Sequence, residues 1–255
     1  MAQPSDGPDR VALVTGAARG IGEAISTALA ADGYAVAIGD LDEAGAKTVA
    51  ARLGEELGSR TLGVSLDVGD TGSVREAVGR IERELGPIDV LVNNAGVDVI
   101  QPFVDSTEET WERLVQINLL GTVRCTRAVL DGMRERGHGR IISLGSDAGR
   151  VGSSGEVVYS ATKGGVIAFC KALAREVARD NITVNCVCPG PTNTALLDQV
   201  AEANQKLYDG LARAIPMRRI GQPTDIAPAI VFLASEGAGF VTGQTLSVSG
   251  GLTMA

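Results

Sequence analysis

Tyr159 and Lys163 stand four residues apart in Tyr-Ser-Ala-Thr-Lys. On a helix, positions i and i+4 share a face, so this spacing sets a phenol beside an ammonium. A free tyrosine titrates near 10, about three units too high for a base at neutral pH. A neighbouring cation favours the phenolate. At about 1.4 kcal/mol per unit, a three-unit shift needs about 4 kcal/mol. Lys163 with a second positive charge from a bound group is expected to supply it. Ser146 lies 13 residues before Tyr159, past a predicted strand over 141–144, where its hydroxyl can bond a substrate oxygen. Asn118 falls inside a predicted long helix, and a buried mid-helix Asn is costly unless satisfied. It is expected to hold a water leading to Lys163. The four side chains suit proton transfer at a substrate oxygen.

A second group of residues suits a dinucleotide. Thr15-Gly16-Ala17-Ala18-Arg19-Gly20-Ile21-Gly22 follows the apolar run 11–14 and opens a helical pattern. Glycines there permit a tight turn and close approach of a pyrophosphate, which the helix N-terminus then attracts. Asp40 closes the second apolar run, 18 residues after Gly22, and Leu41 follows it. A carboxylate at that place accepts from both ribose hydroxyls of NAD and repels the 2′-phosphate of NADP. Arg19 pulls the other way. Asp40 outweighs it, so NAD is expected rather than NADP. Asp67-Val68 ends the third run, where a carboxylate can bond an adenine amine. Asn93-Asn94-Ala95-Gly96 ends the fourth and suits the cofactor crevice.

These residues need a scaffold that gathers strand ends. Short apolar runs over 34–38, 61–66, 88–92, 140–145, 182–187 and 245–248 alternate with helical patterns over 21–31, 42–57, 71–85, 107–135, 157–179, 195–213 and 224–235. That alternation predicts α/β architecture: a doubly wound Rossmann domain whose seven-stranded parallel sheet carries helices on both faces. Residues 1–9 read as a flexible tail. Residues 10–255 read as a single domain, with a substrate lid around 194–213.

Composition narrows the chemistry further. The chain has 255 residues, a net charge of −8, one His, four Cys and 3% aromatics. One His cannot furnish a multi-His metal site, and no metal is expected. An acidic chain poor in aromatics lacks the footprint of a nucleic-acid binder. Uninterrupted apolar runs fall short of the roughly 18 residues of a membrane span. The polar start has no apolar core, so no signal peptide is read, and a cytoplasmic location is expected. Cys125, Cys170, Cys186 and Cys188 form no C-x-x-C pair and read as small buried hydrophobes.

The chain resembles the short-chain dehydrogenase/reductase family from about residue 10 to 252. The resemblance rests on Gly16, Gly20 and Gly22, Asp67, Asn93-Asn94-Ala95-Gly96, Asn118, Ser146, Tyr159, Lys163 and Pro189-Gly190 with Thr194. It implies that Tyr159 is the general acid/base, that Ser146 orients the carbonyl, and that Asn118 supports a proton relay. It implies that Lys163 lowers the Tyr159 pKa and binds the ribose. It adds Pro189, Gly190, Thr192 and Thr194 to the cofactor contacts, and a homotetramer built through the helices near 107–135 and 157–179. The segments 146–156, 188–197 and 246–254 are similar to those of 2-hydroxycyclohexanecarboxyl-CoA dehydrogenases, which use NAD. The expected substrate is a secondary alcohol or ketone, with an alicyclic hydroxyacyl-CoA in view. An NADPH-dependent 3-oxoacyl-thioester reductase and a silent nucleotide-sensing or scaffold protein are the alternatives.

Substrate choice is expected to involve Arg150, Glu156, Arg218 and Arg219. Arg218 is the candidate for a CoA phosphate. Asp147 and Glu156 are expected to line the pocket or to cap a helix, and His138 to lie exposed in a turn.

Overall fold

The computed structural model describes residues 10–194 and 205–254. The tail expected over 1–9, and 195–204 of the expected lid, lie outside the described residues. The strands are β1 (Val11–Thr15), β2 (Ala35–Asp40), β3 (Thr61–Ser65), β4 (Ile88–Asn93), β5 (Gly139–Leu144), β6 (Ile182–Pro189) and β7 (Thr245–Val248). They form one parallel sheet in the order β3-β2-β1-β4-β5-β6-β7. The chain leaves β1 first to one side and later to the other. The order therefore reverses between β1 and β4, and their C-terminal ends flank a crevice.

Both sheet faces are covered, as the near-continuous apolar runs require. Along β1, Val11 and Leu13 point to one face, Ala12 and Val14 to the other. The first face packs on helices α3 (Thr71–Glu84), α5 (Gly121–Arg136) and α7 (Val157–Val177), through Ile81, Met133 and Leu173 among others. The second packs on α1 (Gly20–Ala31), α2 (Glu43–Leu57) and the last helix, Pro223–Ala234, through Leu29, Leu53 and Ile230. Local chemistry sets the boundaries. Asp42 and Asp70 accept from the amides of Gly45 and Gly72 at the starts of α2 and α3. Gly137 ends α5 in the left-handed region, at φ +63°.

The helix read over 107–135 is interrupted. It divides into α4 (Glu108–Leu114), a π-helical turn Val115–Leu120 and α5. The extra residue of a π turn breaks the 3.6 period that suggested one rod, and Asn118 lies inside it. The short α6 (Ala148–Val151) precedes α7, and α8 (Gln205–Ala214) follows the lid region. Among the described residues, 157–180 is one helical stretch long and apolar enough to cross a membrane by composition, which no uninterrupted run had suggested. It packs on the sheet and carries Tyr159 and Lys163. His138 is half-buried rather than exposed, with its ring 3.9 Å from the Glu236 carboxylate.

Candidate active site

The glycine loop is moulded onto the end of β4. Gly16 and Gly20 have φ of +64° and +62°, a region that strongly favours glycine. A Cβ on Gly16 would lie 2.8 Å from Ala95 Cα, and one on Gly22 would lie 2.3 Å from the Gly16 carbonyl. The Asn94 amide donates to the carbonyls of Thr15 and Gly16 at 2.9 and 2.8 Å. Thr15 Oγ1 accepts from the amides of Asn94 and Ala95. Asn94 and Ala95 thus hold the loop in shape. A Cβ on Gly20 would find only Thr194 Cγ2, 3.7 Å away. That is ordinary contact, and the α1 N-terminus beside Gly20 suits a diphosphate.

Asp40 is tied into the same loop. Its Oδ2 accepts from the Ala18 amide at 2.9 Å and its Oδ1 from the Asp42 amide at 3.0 Å. The carboxylate is therefore fixed at the C-terminal end of β2, while Arg19 and Leu41 beside it are exposed. Asp67 Oδ1 accepts from Gly69 at 2.7 Å, and Val68 is buried beneath Gly121. A dinucleotide fits this row of strand ends.

The proton-transfer residues meet in a cleft of about 640 Å³ at the C-terminal ends of β4, β5 and β6. Its lining includes Ile21, Gly96, Ser146, Tyr159, Lys163, Pro189, Gly190, Thr192 and Thr194. Ser146 lines the cleft with Tyr159 and accepts from the Ala148 amide at 3.1 Å. Lys163 Nζ donates to the Leu144 carbonyl at 2.8 Å and lies 5.7 Å from the Tyr159 ring centre. Burial pushes the Tyr159 phenol above its ordinary value, and the charge of Asp98 adds to this; the nearby Ser146 hydroxyl opposes both. Burial pulls Lys163 below its ordinary value. The expected lowering of Tyr159 by Lys163 is thus not what the protein's own groups produce. The ammonium is aimed at a carbonyl, and burial with a nearby carboxyl outweighs it.

Asn118 is buried inside the π turn. Its Oδ1 accepts from the Val97 amide and its Nδ2 donates to the Val97 carbonyl, both at 2.8 Å. The side chain clamps the loop after β4. A Cβ on Gly96 would lie 3.2 Å from Asn118 Oδ1 and 3.4 Å from Lys163 Nζ, so a side chain there would press on both polar atoms.

Around the rim, some sequence candidates turn elsewhere. Arg218 has φ +58° and donates to the Arg213 carbonyl at 2.6 Å, closing the end of α8. That fold-back supports helix capping and takes the guanidinium away from the role of phosphate ligand. Arg219 pairs with Asp225. Arg150 donates at 2.8 Å to Ser247 Oγ, which itself donates to Asp147. Glu156 lines the cleft, and so does Leu211 on α8. Sequence reading passed over Asp98 and Gly149. A Cβ on Gly149 would come within 2.7 Å of the Gly164 amide and the Lys163 carbonyl carbon. The only signal was glycine on both contacting segments, at 149 and at 164–165.

Known proteins are similar to this chain in sequence and fold. A family model described as enoyl-(acyl carrier protein) reductase matches residues 16–253. The chain is 43% identical to the acetoacetyl-CoA reductase of Shinella zoogloeoides over 242 residues, 95% of this chain and 98% of that one. It is 39% identical to the 3-oxoacyl-(acyl-carrier-protein) reductase FabG of Escherichia coli (strain K12) over 245 residues, 96% and 98% of the two chains. A solved gluconate 5-dehydrogenase from Burkholderia cenocepacia J2315, in complex with NADP and tartrate, superposes with a TM-score of 0.91 at 37% identity, covering 96% of each chain. These relatives do not single out the 2-hydroxycyclohexanecarboxyl-CoA dehydrogenases.

Proposed function

The chain belongs to the short-chain dehydrogenase/reductase family and is an oxidoreductase with a nicotinamide cofactor; from that premise we propose that it interconverts a secondary alcohol and a ketone on an acyl thioester. The observation that carries this reading is the convergence of Ser146, Tyr159 and Lys163 on one cleft, with the Lys163 ammonium 5.7 Å from the Tyr159 ring. Tyr159 Oη and Ser146 Oγ together hold the substrate oxygen. Tyr159 moves the proton to or from that oxygen, and Ser146 stabilises the charge that develops on it. The bound nicotinamide supplies hydride transfer at the carbinol carbon. Lys163 holds the ribose side of the site and limits the negative charge that Tyr159 must carry.

The Gly16–Gly22 loop, Asp40, Leu41, Asp67, Val68, Asn94–Gly96, Pro189, Gly190, Thr192 and Thr194 would hold the dinucleotide. Asp40 supports NAD, because its carboxylate is fixed at the end of β2 and would repel a 2′-phosphate there. The NADP in the gluconate 5-dehydrogenase complex and the exposed Arg19 favour the second reading, an NADPH-dependent 3-oxoacyl-thioester reductase. In both readings the segment around 194–213 serves as the substrate lid of a single domain, in a homotetrameric cytoplasmic enzyme. Acetoacetyl-CoA and 2-hydroxycyclohexanecarboxyl-CoA, each assayed with both cofactors, test the readings. Turnover of the alicyclic thioester with NAD supports the first. Turnover of acetoacetyl-CoA with NADPH alone supports the second. Cofactor binding with no turnover of any alcohol or ketone would favour a silent nucleotide-sensing protein.

A further inference from the structure

Two carboxyls stand against Tyr159 that its proton transfer does not require. Asp98 follows β4 and Glu156 immediately precedes α7, and both line the cleft. The loops that carry them are joined, since the Gln101 amide donates to the Gly155 carbonyl at 2.9 Å. Asp98 Oδ1 accepts from the Val99 amide at 2.7 Å, which sets the plane of the carboxyl. Lining the same cleft, Glu156 acts on the Asp98 carboxyl. Two neighbouring carboxyls oppose each other's ionisation, which favours a proton on one of them. Burial first, and Glu156 second, pushes Asp98 up to about 7.

The charged and titratable groups facing the pair are few. Tyr159 and Lys163 face it from α7, and Asp147 lines the cleft after β5. Among the described lining residues, Lys163 is the sole cation, and its ammonium is directed at Leu144. Among the described lining residues, the cleft therefore offers Asp98, Asp147 and Glu156 and no basic side chain besides Lys163.

We infer that the Asp98–Glu156 pair determines substrate specificity, admitting a neutral group beside the reacting carbon and rejecting a carboxylate there. The protonated member can donate a hydrogen bond to an ester, thioester or amide oxygen. A free keto acid would instead bring a further negative charge against the pair. This rests on the alcohol–ketone reading and deepens it: the substrate class is a 3-oxo ester or thioester, not its free acid.

Ethyl acetoacetate and acetoacetate differ at that one group and form the test pair, reduced with NADH and NADPH at about pH 6 and about pH 8. The ester is expected to exceed the acid in kcat/KM by about a hundredfold, more at the higher pH, where the pair carries two charges. Asp98→Asn and Glu156→Gln should each shrink that ratio about tenfold and flatten its pH dependence. An unchanged ratio in both variants, or a wild type that takes the acid as readily as the ester, overturns the inference. Absence of any ketone turnover would instead overturn the alcohol–ketone reading. The pair is then read directly by NMR titration of carboxyl-13C aspartate. A carboxyl titrating near 7 that vanishes in Asp98→Asn supports the shared proton, and its absence from the wild type refutes it.

Discussion

Lys163 Nζ lies 5.7 Å from the centre of the Tyr159 ring and donates to the Leu144 carbonyl, not to the phenol. The lysine therefore acts on the tyrosine through space. Its own ammonium is disfavoured by burial, and the phenol is raised by burial and by Asp98. A bound oxidised nicotinamide would add a positive charge that favours the phenolate. Tyr159→Phe should lower turnover by about a thousandfold or more. Isothermal titration should find cofactor affinity within about threefold of wild type, since the cradle lies in other residues. Substantial turnover in Tyr159→Phe would refute the assignment.

Cofactor choice turns on Asp40. Its carboxylate is held by the amides of Ala18 and Asp42, so it cannot swing aside without stranding both donors. Asp40→Ser removes the charge and keeps an acceptor near the Ala18 amide. The ratio of kcat/KM for NADP over NAD should rise by about tenfold or more, with Arg19 free to meet the 2′-phosphate. Steady-state kinetics with both cofactors measure this directly. A ratio that stays put would show that Asp40 does not read the ribose.

Much of this arrangement was legible in the sequence, because the pattern that specifies the sheet also places its strand ends. Apolar runs set β1 to β7 within a residue or two, and turn chemistry put Gly16, Asp40, Asn94 and Ser146 at their ends. The interruption at Val115–Leu120 was hidden, since a π turn keeps the same residue types as an α-helix. Asn118 was found by its cost in a helix, yet its partner is the backbone of Val97, and backbone groups carry no sequence signal. Asp98 escaped notice for a related reason. A carboxyl in a loop looks solvated until Glu156, 58 residues on, is brought against it.

Gly149 positions Lys163 by contact. Its Cα faces the backbone of α7 at a distance where a methyl would lie 2.7 Å from two main-chain atoms and 2.8 Å from Lys163 Cβ. Backbone cannot yield as a flexible side chain can. Gly149→Ala should push α6 away from α7 and cost about 1–3 kcal/mol. Urea unfolding would read that cost. Because Ser146 accepts from Ala148, the next residue, kcat should fall more than KM rises. Wild-type stability and kinetics in the alanine variant would show that the two segments are not in close contact.

Acid stability has a separate source, away from the cleft. The Arg219 guanidinium meets Asp225 at 2.5 and 2.7 Å, and the Gln222 amide donates to the same carboxylate at 2.7 Å. The Arg219 hydrogen bond, followed by that of Gln222, holds Asp225 down to about 2. A carboxyl lowered on folding adds stability that is complete above its unfolded value near 3.9 and is lost as pH falls toward the folded value. The pair is partly exposed, so solvent screening limits the ion-pair share and most of the effect belongs to the helix start. Asp225→Asn should therefore cost about 1 kcal/mol at neutral pH. Its deficit against wild type should shrink between about pH 4 and about pH 2, as both proteins come to carry a neutral group there. Thermal melts across that range decide the matter: a deficit that stays constant down to the lowest pH would mean that the charge on Asp225 contributes nothing.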